Sequence, residues 1–194
     1  YQLTPWSNDT VTNRPAESFY IHDLESREVV SPFAALGRNK AALYEVRHGP
    51  GRSVFTTEDA GLQIEMTQIV ASSEPAKLLR LRTTNRSDRT RKLRIYGYAE
   101  WVLGNNRAKT APYIRAWHEP ALNGLLAQNP FSIDSNQRAA FFAADQSLQS
   151  FSASRQEFFG PDADVLAPVA VASGTQLSDS LEAAGDPCAA LVLD

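Results

Sequence analysis

His22, His48 and His118 are the three histidines of the chain. No two of them stand in H-E-x-x-H or H-x-H spacing, so the pattern offers no metal chelate, and no metal ligand is assigned. A mutarotase-type sugar epimerase needs a histidine and a glutamate around a sugar ring oxygen. Three scattered histidines leave that arrangement to the fold, and a histidine satisfied by hydrogen bonds at a strand end is its plainer use. Asp9, Asp23, Glu65, Glu100 and Glu119 are the carboxylates open to acid–base work. No spacing among them singles out a glycosidase pair, so no catalytic residue is assigned. There is no G-x-S-x-G, no G-x-G-x-x-G and no Walker-type phosphate loop, and no cofactor is implied. The string RHGPGR (47–52) contains G-x-G, but it precedes a strand and reads as a hairpin turn.

The tryptophans say more. Sugars bind by laying a C–H face on an aromatic ring while amides and carboxylates take the hydroxyls. Trp6 has Asn8 and Asp9 beside it, and Trp117 has Arg115, His118 and Glu119. Trp6, Asn8, Asp9 and Trp117 are therefore the carbohydrate-binding candidates. Trp101 alternates with Leu93, Ile95 and Leu103, which places it in a core. Seven basic residues lie between Arg80 and Arg94. On a hairpin they form either a positive stripe that steers a partner or a solvated sheet face, and the solvated face is the expected use.

These residues need strands to position them. KLRIYGYAEWVL (92–103) alternates with period two, which predicts one long strand with an apolar and a polar face. SFYIHDL (18–24), REVVS (27–31), LYEVRH (43–48), RSVFTT (52–57), LQIEMTQIV (62–70) and KLLRLRTTN (77–85) repeat the theme. YIRAWH (113–118), GLLAQN (124–129), RAAFFAA (138–144), VLAPVAVA (165–172) and CAALVLD (188–194) complete the strand set. Turn signals every eight to twelve residues predict an all-β sandwich or barrel. Helix signals are confined to one turn at Gln156 to Phe159 and a short helix or loop at Leu177 to Ala184. The apolar final strand predicts a neighbouring strand missing from the chain.

Composition agrees. The chain has 194 residues, of which 43% are hydrophobic, enough for a core and too apolar for disorder. A net charge of −3 with mixed signs argues against nucleic acid as a partner. A single cysteine, Cys188, excludes an internal disulfide framework and fits a reducing compartment. The longest strictly apolar stretch, Val165 to Ala172, is too short to span a bilayer as a helix. No signal peptide is visible, and a first residue of Tyr leads us to expect a piece of a longer chain.

Several strings read in order carry a resemblance: TPWSNDTVTNRPAESFYIHDLESREVVSP (4–32), YEVRHGPGRSVF (44–55), residues 61–104 ending in AEWVLG, LLAQNP (125–130), FFGPDADVLAP (158–168) and DPCAAL (186–191). Together they resemble the N-terminal β-sandwich domain of glycoside hydrolase family 94, formerly glycosyltransferase family 36. The version is that of cyclic β-1,2-glucan synthases and β-1,2-oligoglucan phosphorylases. The family commonly has an aromatic residue after the HGxG turn, where this chain has Arg52.

The resemblance implies an all-β, large two-sheet antiparallel sandwich of galactose-mutarotase-like type over residues 1–194, a single domain lacking strands at both ends. It implies a glucan or oligosaccharide partner and a separate (α/α)6 catalytic barrel in the parent chain, with a homodimer as one assembly. The parent is then a hexosyltransferase or glycoside phosphorylase, and this chain is inactive alone. Its expected place is the cytoplasm, or the cytoplasmic part of a membrane-anchored parent. A mutarotase-like aldose epimerase and a pure oligomerisation module stay open as alternatives.

Overall fold

A computed structural model describes residues 2–6, 11, 15–133, 136–183 and 185–194. The chain is all-β and antiparallel in its named strand pairings, with a few short helices. It divides into two compact units, residues 20–93 and residues 1–19 with 94–194.

In the smaller unit, β1 (Glu17–Asp23, which begins in the larger unit) turns into β2 (Val29–Val30), pairing Ile21 with Val30 and His22 with Val29. A meander follows: β3 (Leu43–Gly49), β4 (Arg52–Asp59), β5 (Leu62–Val70) and β6 (Lys77–Asn85). Leu62, Ile64 and Met66 alternate along β5 and are fully buried, as their period predicts. The β4–β5 turn places both Ala60 (φ 50°) and Gly61 (φ 72°) in left-handed backbone, the geometry whose twist matches the strands of a two-residue hairpin.

The basic run does not form one stripe. Arg80 and Arg82 are exposed on β6, opposite Thr67 and Glu65. Arg86 donates to the Gln63 side chain, and Arg89 and Arg91 pair with Asp23. The Arg91 side chain is only 6% exposed.

The larger unit begins its sheet with β7 (Leu93–Glu100). After α1 (Arg107–Thr110) come β8 (Arg115–Glu119), β9 (Gly124–Gln128) and β10 (Ala140–Ala143). Then follow β11 (Ser150–Ser154), α2 (Arg155–Phe159), α3 (Val169–Ser173) and β12 (Pro187–Leu193). β12 lies between β11 and β7, and β8, β9 and β10 form a second sheet with β9 in the middle. Leu125 and Ala127 of β9 meet Ala189 and Leu191 of β12 in a core that also holds Trp101, Leu103 and Ile114. These two layers are the sandwich. The opposite face of β7 and β12 is covered by helix: Tyr98 stacks on Phe158, and the Tyr96 hydroxyl donates to Thr175 O at 2.9 Å.

Three expectations need correction. The long strand ends at Glu100, and its polar-looking face is buried, because Tyr96 and Tyr98 bury their rings and give their hydroxyls a partner. VLAPVAVA is not a strand. Pro168 precedes α3, Ala170 and Val171 pack inward, and Gly174 (φ 66°) ends the helix by donating to Ala170 O and Val171 O. The final strand has neighbours on both sides, since Ser150–Ser154 supplies one. That strand escaped notice because Ser150 and Ser152 are buried polar residues. Ser150 Oγ accepts from Leu177 N, and Ser152 Oγ donates to Glu157. Of the two readings of Leu177 onward, the described residues take the loop, with Ser180 bridging to Ser152.

Candidate functional site

The register of the three-stranded sheet decides which side chains share a surface. Trp117 of β8 lies opposite Leu126 of β9, which lies opposite Phe141 of β10. Alternation puts this row on one face, and His118, Leu125 and Phe142 on the other. The second face is the core: Leu125 is fully buried, Phe142 packs on the central cluster, and the His118 ring stacks on Phe151 at 4.4 Å. The Trp117 row is therefore the outer face, with Phe141 55% exposed and Trp117 and Leu126 half-buried. Arg115 and Gln128 flank the row at one end and Glu119 at the other.

Local chemistry stiffens this rim. Glu119 Oε1 accepts from Ala121 N at 3.2 Å, and Gln128 Nε2 donates to Asn136 O at 2.6 Å. Asn123, in left-handed backbone (φ 49°), donates to Ala144 O and Gln146 O and accepts from Leu148 N. Gly124 lets β10 come close: a Cβ there would sit 2.5 Å from Phe142 O and 2.6 Å from Ala143 Cα. Gly124→Ala is expected to lower stability by about 1–3 kcal/mol through this backbone clash. Urea unfolding checks it, and an unchanged midpoint contradicts the close pairing.

Of the residues named from sequence, Trp117 lies on this face, and its polar neighbours Arg115 and Glu119 share it. Trp6 is 74% exposed. Asn8 and Asp9 lie outside the described residues. Trp101 is in the core at 3% exposure, as its period indicates. Sequence reading missed Leu126, Gln128 and Phe141; the alternation in GLLAQN and RAAFFAA carried the signal, but only the pairing shows which faces coincide.

The rest of the titratable inventory gives little chemistry. His22 is buried, His48 shares a hydrogen bond with Ser53 Oγ at 2.9 Å, and the ring contact of His118 is with Phe151. Neither the His48 nor the His118 contact is with a glutamate, which is what an epimerase would require. Burial pushes the Tyr98 hydroxyl and the Cys188 thiol well above their usual ranges and Tyr96 to about 12, so all three are protonated at neutral pH. Among the described residues no group of three or more His, Cys, Asp or Glu side chains can hold a metal ion.

An apolar row with a donor, an amide and a carboxylate at its ends suits a ligand with both C–H faces and hydroxyls. Comparison with known proteins decides the family: the profile described as glycosyl hydrolase 94, supersandwich domain, matches residues 1–194. The chain belongs to this family. The supersandwich chain is 50% identical over 194 residues to the cyclic beta-(1,2)-glucan synthase NdvB of Rhizobium meliloti (strain 1021), covering all of this chain and 7% of that protein. It is 25% identical over 196 residues to the N,N'-diacetylchitobiose phosphorylase of Vibrio furnissii, covering 98% of this chain and 24% of that one. The supersandwich thus spans a small part of the length of the curated relatives it matches. Among its described residues no helix is long and apolar enough to cross a membrane.

Proposed function

We propose that this supersandwich is a non-catalytic module of a β-1,2-glucan-processing glycosyltransferase or phosphorylase. It serves there as scaffold, cleft wall and carbohydrate-binding surface. The observation that carries the sugar contact is the Trp117–Leu126–Phe141 row on the outer sheet face, bordered by Arg115, Gln128 and Glu119. A β-linked glucose unit offers a flat C–H face to such a row and equatorial hydroxyls to its rim. Exposed Trp6 is a second aromatic contact in this reading, and Asn8 and Asp9, which follow it in the sequence, are its proposed polar partners. The partners proposed are a glucan or oligosaccharide, an (α/α)6 barrel elsewhere in the parent chain and a second copy in a homodimer. The 50% identity to a cyclic glucan synthase supports the glucan, and a membrane-anchored cytoplasmic parent belongs to the same reading.

Isothermal titration of the chain with β-1,2-gluco-oligosaccharides tests it. Millimolar binding is expected, weakened about tenfold in Trp117→Ala with the fold intact by circular dichroism. No heat from the unsubstituted 194-residue chain, or an unchanged Kd in Trp117→Ala, removes the sugar-binding face.

A further inference from the structure

On the helix-covered side of β7 and β12, four charged side chains close a ring. Glu100 comes from β7, Arg107 from α1, Arg155 from the first position of α2, and Asp186 from the residue before β12. Arg107 Nε lies 2.5 Å from Glu100 Oε1, and Arg107 Nη2 pairs with Asp186 Oδ1. Arg155 Nε lies 3.4 Å from Glu100 Oε2, and Arg155 Nη1 lies 3.5 Å from Asp186 Oδ2. The Arg155 guanidinium also sits over the Phe159 ring, 5.2 Å from its centroid. Each cation is shared by both carboxylates, so the four formal charges cancel.

Two members of the ring open onto a cavity of about 290 Å³. Arg155 and Asp186 line it together with Gln156, Gly160, Pro161 and Ala183. Three properties define its occupant. The cancelled charge gives no net field for an anion, so a phosphate has less to gain here than a neutral molecule. Arg155 supplies only donors and ionised Asp186 only acceptors, while Gln156 supplies both. Neighbouring hydroxyls of a sugar, each donor and acceptor at once, satisfy that set. Pro161, Gly160 and Ala183 provide the apolar wall that a C–H face needs. Arg155 is already held by the ring and by Phe159, so little ordering remains to be done on binding.

We propose that this cavity is a second carbohydrate site that takes one neutral hexose unit. Arg155 and Asp186 engage vicinal hydroxyls, and Gln156 takes a third. The site uses none of the residues of the Trp117 face and does not rest on it.

The experiment is amide NMR of the 194-residue chain, titrated separately with glucose, with the β-1,2-linked glucose disaccharide and with inorganic phosphate. Sugar-dependent shifts are expected at Gln156, Gly160 and Ala183, saturating in the millimolar range. They persist in Trp117→Ala, weaken severalfold in Gln156→Ala and vanish when Ala183→Trp fills the cavity. Gln156→Ala alone decides the matter if the filled variant fails to fold. Three results overturn the site: no shift at these amides by about 50 mM sugar, a response to phosphate alone, or sugar shifts unchanged in Gln156→Ala. A response retained in Trp117→Ala but absent in Gln156→Ala separates this site from the outer face.

Discussion

Phe158→Ala is expected to lower the stability of the chain by about 3–5 kcal/mol, the range for emptying a buried aromatic site. Phe158 is fully buried, its ring stacked on Tyr98 at a centroid distance of 5.0 Å and edge-on to Tyr96 and Phe159. α2 is five residues long, far too short to persist by itself, so this ring is what fastens the helix over β7 and β12. The Ser154 cap, which accepts from Glu157 N at 3.2 Å, adds only about 1 kcal/mol. Guanidinium unfolding measures the loss, and Phe158→Leu, which keeps most of the volume, is expected to recover more than half of it. A loss under about 1 kcal/mol for the alanine variant would show that the ring is not packed as described. Arg155, Gln156 and Gly160 border the proposed hexose cavity and lie on or beside this helix, so its anchorage also governs that site.

Neutralising Asp23 is the second large effect. Asp23→Asn is expected to destabilise the chain by about 2–4 kcal/mol near neutral pH, because it leaves Arg91 buried without its full counter-charge. The Asp23 carboxylate is 1% exposed. Its Oδ1 accepts from Glu25 N at 3.0 Å and Ser26 N at 3.2 Å, and its Oδ2 pairs with Arg89 and Arg91. Arg91 reaches on to Ala60 O, so one carboxylate ties the β1–β2 turn to the β4–β5 turn and to the loop after β6. Burial by itself raises the pKa of this group, but the backbone donors Ser26 and Glu25 and the Arg89 guanidinium outweigh it, and the net value falls to about 2 from an ordinary 3.8.

The folded-state value lies below the unfolded one. The stabilisation is therefore fully present above the unfolded value and is lost as pH falls through the folded one. Arg89 is partly open to solvent, which trims the effect to about 1–2 kcal/mol, lost between about pH 4 and pH 2. Unfolding curves across that interval should show this loss in the native chain and a flatter profile in Asp23→Asn. Parallel profiles contradict the assignment.

How much of this was legible depended on what each residue's neighbours demanded. β5 and β6 stand where the alternation of LQIEMTQIV and KLLRLRTTN puts them, because one face of β5 is buried and one face of β6 is half-buried while its other face is exposed. The turn at Pro50–Gly51 was legible because its chemistry is local. β11 was not legible: its buried serines are tolerated only because Glu157 and the Leu177 amide reach them from distant positions. α3 misled for the opposite reason, since valines and a proline resemble strand punctuation until Ala170 and Val171 find a core to enter. Trp117 could be named from its neighbours in sequence, but Phe141 and Leu126 could not be joined to it, because a strand's alternation does not reveal which strand it pairs with.

By itself the sequence determined the all-β class, the hairpins of the smaller unit, the burial of Trp101 and the resemblance that the family match bears out. These follow from period, turn chemistry and residue order, all short-range properties of the chain. Tertiary structure alone decided the partners of β12, the aromatic row across β8, β9 and β10, the closing of Glu100, Arg107, Arg155 and Asp186 into one ring, and the arginines drawn to Asp23. Each of these joins groups far apart in sequence, and such pairs are selected by register and by the satisfaction of buried polar groups, which no local pattern encodes.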